Sequence, residues 1–392
     1  MSNANIMLRY CIARSIIFLR REEMKKIMLF TLALLVGLSL AACGGDEGSQ
    51  TGSGEPFDGF IKVGFILIGS KTDGGFSQAH ANGIDELEAY FAGLVKTMAV
   101  ENVDDQNRQD IRSAAENMID AGCRVIIGCS YGYMETMAEL ADEYPDVDFL
   151  HFSGSMMNDT NFDNFFGAME EPRYLAGIVA GMMTKSNKIG YVAAYPYTEV
   201  QIGINAFALG VQSVNPSAEV NVVYINTWYD PEKEKSAAQA LLAQGCDVLE
   251  QHCDTAGPII AAQEAGAYAI GYNLDKPDSA PKAYLTAPVW DHGAYYIDVV
   301  KKILDGSFSP ESYYGNMASG YVDLAPLSDL VPSEVKAKVD EAKAQIISGE
   351  LAPFSGEILF ADGSVLCEEG QTLTRGDIWD INSVIKGVNA TE

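Results

Sequence analysis

Between Ile61 and Ala287 the chain alternates two kinds of segment, and that rhythm limits the fold more than any other feature. Short apolar runs recur at Ile61–Ile68, Val95–Val100, Arg124–Gly128, Asp148–Phe152, Lys188–Ala193, Glu219–Ile225, Asp247–Glu250, Tyr268–Gly271 and Ala283–Ala287. Apolar strands of this length are those of a parallel sheet covered on both faces. Amphipathic stretches separate them, among them Asp110–Ala121, Arg173–Met183, Val200–Val214, Glu232–Gln244 and Pro258–Ala265. Gly122, Gly245 and Gly266 stand where such helices would end, in the left-handed position that a helix C-terminus favours. The pattern predicts an α/β protein of doubly wound parallel sheets.

Two sheets are expected rather than one. A first cycle of strands closes near Phe165–Gly167 and a second opens at Lys188. After Ala287 a helix over His292–Leu304 and a last one over Ser333–Ile347 follow, far in sequence from any new sheet. This order predicts two lobes with a ligand cleft between them. Lobe 1 would hold 59–168 and 289–315, lobe 2 would hold 169–288 and 316–350, and 351–392 would pack on both.

The N-terminal region carries a different signal. From Met24 the chain has two lysines, an apolar core from Ile27 to Leu40 and small residues before Cys43. That is the layout of a secretory signal, with a core short for a membrane span. Leu40-Ala41-Ala42-Cys43 has the form of a bacterial lipobox, in which the cysteine becomes the lipidated first residue. Residues 1–42 are therefore set aside, and 43–58, rich in Gly and Ser, are expected to be a tether. An extracytoplasmic protein held to the membrane by lipid follows.

Charge narrows the partners. With 26 basic and 54 acidic side chains the formal charge is −28, which repels nucleic acid and anionic lipid. A monomer binding a small solute is the expectation. The cysteines of the folded part, Cys123, Cys129, Cys246, Cys253 and Cys367, have no zinc or redox spacing. Buried thiols are expected, with a Cys246–Cys253 disulfide left open.

Motifs for other chemistry are weak. The loop LIGSKTDGGFSQAHANGI after the first strand has Gly69, Gly74, Gly75 and Gly83, but not the G-x-G-x-x-G of a dinucleotide site. No Walker loop, EF-hand or H-x-x-x-H occurs. Gly128-Cys129-Ser130-Tyr131-Gly132 has the letters of a nucleophile elbow, with His151, His252 and His292 as conceivable partners. The pentapeptide is short, so no enzyme, catalytic residue, cofactor or metal is expected. Glu170 reads equally as a helix-start acid and as a ligand contact. Phe76, Tyr131, Tyr133, Trp228 and Trp290 follow strands, where open α/β sheets bind ligands. Aromatic faces from both lobes would sandwich a flat ring.

The lipobox, DGGFSQAHANGI, EEPRYLAGIVAGMM, NTWYDPEKEKSAAQALLAQGCDV, EQHCD and AYAIGYN together resemble the basic membrane protein family. These are solute-binding lipoproteins of ABC importers, typified by purine nucleoside receptors, and the resemblance covers roughly Ile61 to Val322. It implies two α/β lobes like those of sugar-binding periplasmic receptors, and an ABC permease as partner. In the nucleoside receptors a loop phenylalanine stacks on the base and the next asparagine bonds it. Phe76 matches the first, and Ser77 stands at the second. Asn273 replaces an aspartate and Trp290 a lysine that hold ribose, while Gly203 falls near a second stacking phenylalanine. The resemblance with these departures implies a purine nucleobase, adenine first, between Phe76 and Trp228. Asp254 and the backbone near Ser130, Tyr131 and Gly132 would read its edge; a nucleoside receptor or a sensor ectodomain are the alternatives.

Overall fold

A computed structural model describes residues 60–391 of the chain. Cys43, the signal and the tether of 43–58 lie outside the described residues. The first half runs β1 (Ile61–Leu67), α1 (Phe76–Phe91), β2 (Val95–Val100), α2 (Arg108–Asp120), β3 (Val125–Cys129), α3 (Met134–Glu143), β4 (Asp148–Phe152) and β5 (Phe162–Gly167). The second runs α4 (Glu170–Met183), β6 (Lys188–Ala193), α5 (Thr198–Val214), β7 (Glu219–Tyr224), α6 (Pro231–Ala243), β8 (Val248–His252), α7 (Gly257–Ala265) and β9 (Tyr268–Ala269). Then follow β10 (Pro288–Trp290), α8 (His292–Asp305), β11 (Ser312–Gly315), β12 (Val322–Leu324), α9 (Ser333–Ser348), β13 (Ile358–Leu359), β14 (Val365–Cys367), α10 (Arg375–Trp379) and β15 (Val388–Thr391).

Two all-parallel sheets result. One has the order β11-β5-β4-β3-β1-β2 and the other β15-β7-β6-β8-β9. Helices cover both, so their strands are buried almost throughout, as in β3 and β8. This is a two-lobed α/β fold. Between the lobes β10 and β12 pair antiparallel, Pro288 opposite Leu324.

Local chemistry sets the element ends. Asp230 caps α6 by accepting from the Lys233 amide at 3.0 Å, ahead of Pro231, and Asn107 caps α2. Gly266 ends α7 at φ +73°. The helices α4 and α5 cross in backbone contact. A Cβ on Gly177 would lie 2.0 Å from the Phe207 carbonyl oxygen, and one on Gly210 2.0 Å from that of Tyr174. This contact fixes where Arg173, Glu199 and Gly203 stand.

Two expectations change, and one question left open is answered. Ala283–Ala287 is no strand: Tyr284 makes one isolated bridge to Ala269, because Pro281 and the turn over 281–283 bring the segment in late. The terminal residues do more than pack on the lobes, since β15 joins the edge of the second sheet. Cys246 and Cys253 are both free and buried.

Candidate functional site

The carboxyl ends of the two sheets face one another across a cavity. From lobe 1 come Ile68 after β1, Phe76 opening α1, Ser130 and Tyr131 after β3, Phe152 and Ser153 from β4, and Phe166 of β5. From lobe 2 come Glu199 of α5, Trp228 after β7, His252 and Asp254 from β8, and Tyr272; Trp290 of β10 completes the wall. Among the described residues no lysine or arginine lines it.

The aromatic wall is braced from behind. Phe76 stands edge-on to His80 at 4.6 Å and to Phe152 at 5.3 Å. His80 stacks on His292 at 3.7 Å, and His292 lies parallel to Trp290 at 5.5 Å. Burial pushes the His80 imidazole down to about 3, so it is neutral and behaves as an apolar ring. Trp228 meets Tyr195 edge-on at 5.2 Å. Rings locked this way lose little freedom when a flat ligand arrives.

The loop that begins the site is organised by Asp73. Its carboxylate accepts from the amides of Gly75 (2.8 Å), Ser77 (2.9 Å) and Gln78 (3.0 Å), satisfying the free donors at the start of α1. Ser77 turns inward, and its hydroxyl accepts from the Gly69 amide at 2.9 Å. It holds the loop and does not line the cavity. Gly132 also stands off the wall, against Asp105. Asn273 lies behind it: its amide donates to Asp254 Oδ1 at 3.1 Å, and its oxygen accepts from Trp290 Nε1 at 3.1 Å. Of the residues singled out from sequence, Phe76, Ser130, Tyr131, Trp228, Asp254 and Trp290 share this cavity. Glu170 lies deeper, accepting from Tyr314 Oη at 2.9 Å.

Six lining residues were not singled out, Ile68, Phe152, Ser153, Phe166, Glu199 and Tyr272, and His252 was weighed only as a catalytic partner. Most follow or end a strand, the position that the rule for open sheets marks.

Ser130 is no nucleophile. Its hydroxyl donates to Asp105 at 2.7 Å, and His151 meets its carbonyl oxygen instead, at 2.8 Å. Among the described residues no group of three or more metal-ligating side chains is placed to hold an ion.

Two acids give the cavity its electrostatics. Burial raises the Asp254 carboxyl well above its ordinary range, and Asp73 and Glu234 push the same way against the Asn273 bond. Burial raises Glu199 to about 7, offset in part by the Ser153 hydroxyl, which donates to it across the cleft at 3.2 Å. His252 is held neutral by burial and by nearby Arg173. The lobes are closed on one another here. Lys276 reaches Gln78 at 3.1 Å, and Gly75 lies against the Asp254 carbonyl.

Closure therefore favours the protonated acids. A carboxyl whose closed-state value is raised binds more protons when closed, so closure weakens as pH rises from its ordinary value through about 7. Ligand affinity is expected to fall between about pH 5 and pH 7 and to level off above that, by at most about tenfold per pH unit for each proton linked. Calorimetry across that range checks it. A Glu199→Gln receptor with an undiminished slope removes Glu199 as the source.

Residues 60–353 match the family described as ABC transporter substrate-binding protein, PnrA-like. The chain belongs to this family. It is 37% identical over 281 residues to a purine-binding protein of Brucella abortus, covering 72% of this chain and 79% of that one. It is 33% identical over 306 residues to a Haloferax volcanii protein whose name assigns it glucose binding for an ABC transporter, covering 76% and 77%. A solved ABC transporter solute-binding protein from Conexibacter woesei shares the fold at TM-score 0.64 and 23% identity, covering 74% of this chain and 98% of that one. The architecture is thus the type I periplasmic-binding-protein form. As a PnrA-like substrate-binding protein the chain delivers a small solute to an ABC permease and is not an enzyme.

Proposed function

We propose that this PnrA-like receptor captures a purine nucleobase, adenine before others, in the closed cavity between its lobes. The observation that carries the reading is an aromatic enclosure with a buried acid, Asp254, at its edge. Phe76, Phe152, Phe166, Trp228, Tyr272 and Trp290 present ring faces and edges around one space, which suits a flat heterocycle. A protonated Asp254 offers a donor and an acceptor side by side, and Asn273 fixes its orientation. Adenine, with an amino group beside a ring-nitrogen acceptor, is the complement. An ionised carboxylate would have suited the paired N–H donors of guanine instead. The Brucella relative, named as purine-binding, supports the same class.

The receptor would work outside the cytoplasm as a monomer, held by lipid on Cys43, closing on its ligand and presenting the closed lobes to the permease. The sequence alternative of a nucleoside receptor differs only in what accompanies the base.

Calorimetry against adenine, adenosine, guanine, hypoxanthine and glucose tests the reading. Adenine is expected to bind tightest, and Trp228→Ala to cost about 2–4 kcal/mol of that affinity, as loss of a buried aromatic anchor does. Tight glucose binding with no purine binding overturns it. Unchanged affinity in the Trp228 variant takes that ring out of the site.

A further inference from the structure

One pole of lobe 1 carries an exposed apolar cluster. Phe60 precedes β1 and Leu94 precedes β2, and the Ile61 amide, donating to the Leu94 carbonyl at 2.9 Å, sets them side by side. Tyr90 stands in the last turn of α1, and Met98 on the edge strand β2. All four side chains are 40–54% exposed, and they are four of the twelve large apolar or aromatic ones so exposed among the described residues. Such residues scattered singly are ordinary, whereas a cluster marks a contact surface.

The charges among them are positive. Lys62 and Lys96 lie opposite one another on β1 and β2. Lys96 Nζ stands 3.6 Å from the centre of the Phe60 ring, and Lys301 Nζ, from α8, 4.4 Å from that of Tyr90. Lys62 donates to the Ala121 carbonyl. Among the described residues none of these lysines forms an ion pair with a carboxylate. Glu88 is taken up by Thr97, and Asp298 by Lys302. Asp120, beside Ala121, stands at the margin, and acids return at Asp146 and Asp148, two strands farther along the sheet.

The place of the cluster matches an occupant. Helices α1 and α8 begin beside the cleft, at Phe76 and His292, and run away from it, so Tyr90 and Lys301 lie at the pole opposite the cavity. The described chain also begins here. Phe60 is seventeen residues beyond Cys43, a length that reaches at most about 60 Å when fully extended. Apolar rings with lysine stems laid over them suit the boundary between lipid headgroups and acyl chains. The formal charge of −28 repels an anionic surface from afar, but screening beyond about 8 Å leaves the local lysines to act at contact.

We propose that this pole is the receptor's membrane-resting face: Phe60, Tyr90 and Leu94 enter the interfacial layer of an anionic bilayer, and Lys62, Lys96 and Lys301 meet its phosphates. Lobe 1 then lies on the lipid with the cleft end turned away from it. This rests on lipidation of Cys43: the acyl chains hold the receptor, and the face orients it.

The test uses the full lipoprotein in vesicles of phosphatidylcholine, alone or mixed with phosphatidylglycerol. A dye is placed at Met98→Cys or, as control, at Ser217→Cys on the exposed surface of lobe 2; the described cysteines are buried and leave it to the introduced one. In mixed vesicles the dye at 98 is expected to be about fivefold or more less accessible to acrylamide than that at 217. Lys96→Glu with Lys301→Glu is expected to weaken resting about twenty-fivefold or more, at about fivefold per lysine near an anionic surface, and so to restore access. High salt should do the same. Equal access at both positions, with the receptor still floating with the vesicles, overturns the proposal. Protection at 98 that persists in detergent and grows with receptor concentration identifies a second copy as the occupant and also overturns it. If the wild-type receptor does not float with the vesicles, the lipid anchor fails and this orientation with it.

Discussion

A Gly75→Ala receptor is expected to bind its ligand about a hundredfold more weakly or worse, because its lobes cannot reach the closed state. One methyl group is enough. The added Cβ would lie 1.9 Å from the Asp254 carbonyl oxygen, 2.8 Å from its carbon and 3.0 Å from its Cα. Neither side can yield cheaply. Gly75 is tied to Asp73 through its amide, and the Asp254 amide donates to the Trp228 carbonyl at 3.1 Å. Relief has to come from separating the lobes, which opens the aromatic cavity to water and breaks the Ser153–Glu199 bond. The contact lies between lobes and within neither sheet, so the unliganded melting temperature should hardly move. Calorimetry with small-angle scattering checks this: the variant should stay expanded in saturating ligand. Affinity within about threefold of wild type would show that the two backbones need not touch.

Arg173→Leu is expected to give the largest loss of stability, about 3–5 kcal/mol, as breaking a buried ion pair does. Arg173 and Glu250 are fully buried and paired, and the same guanidinium donates to the Gln251 carbonyl at 2.7 Å. Its face also lies 4.0 Å from the centre of the Tyr272 ring, on the cavity wall. Burial pushes the Glu250 carboxyl up, and Arg173 pulls it back down. Without that pull its carboxyl rises further and is neutral in the folded variant at pH 7. The folded state then binds a proton that the unfolded chain has released, so the deficit should be larger at pH 9 than at pH 7. Urea unfolding at both values measures it. Arg173→Leu combined with Glu250→Leu should recover much of the loss; a double variant no better than the single would show that packing on Tyr272, rather than the unpaired charge, was the cause.

The lobes were legible in the sequence because parallel strands buried on both faces are continuous apolar runs, and a run such as RVIIG has few other uses. Edges were harder. β10 and β12 are three residues long each, too short for any periodicity to register. At the site, Phe76 and Trp228 stood out as aromatics in polar loops. Phe152 and Phe166 did not, since a phenylalanine inside a strand carries no mark of whether it faces core or cleft. Glu199 sits in the first turn of α5, where an acid already has a sufficient reason to be. Ser77 follows Phe76, but the start of α1 rotates it about a third of a turn away, onto the Gly69 amide.

The last described strand has a consequence for biogenesis. β15 pairs with β7, Val388 opposite Val220, so the β7 margin of the second lobe stays unpaired until Val388–Thr391 arrives. An unpaired parallel edge is a template for association with other chains. A polypeptide truncated before Val388 would leave the β7 margin permanently without this strand.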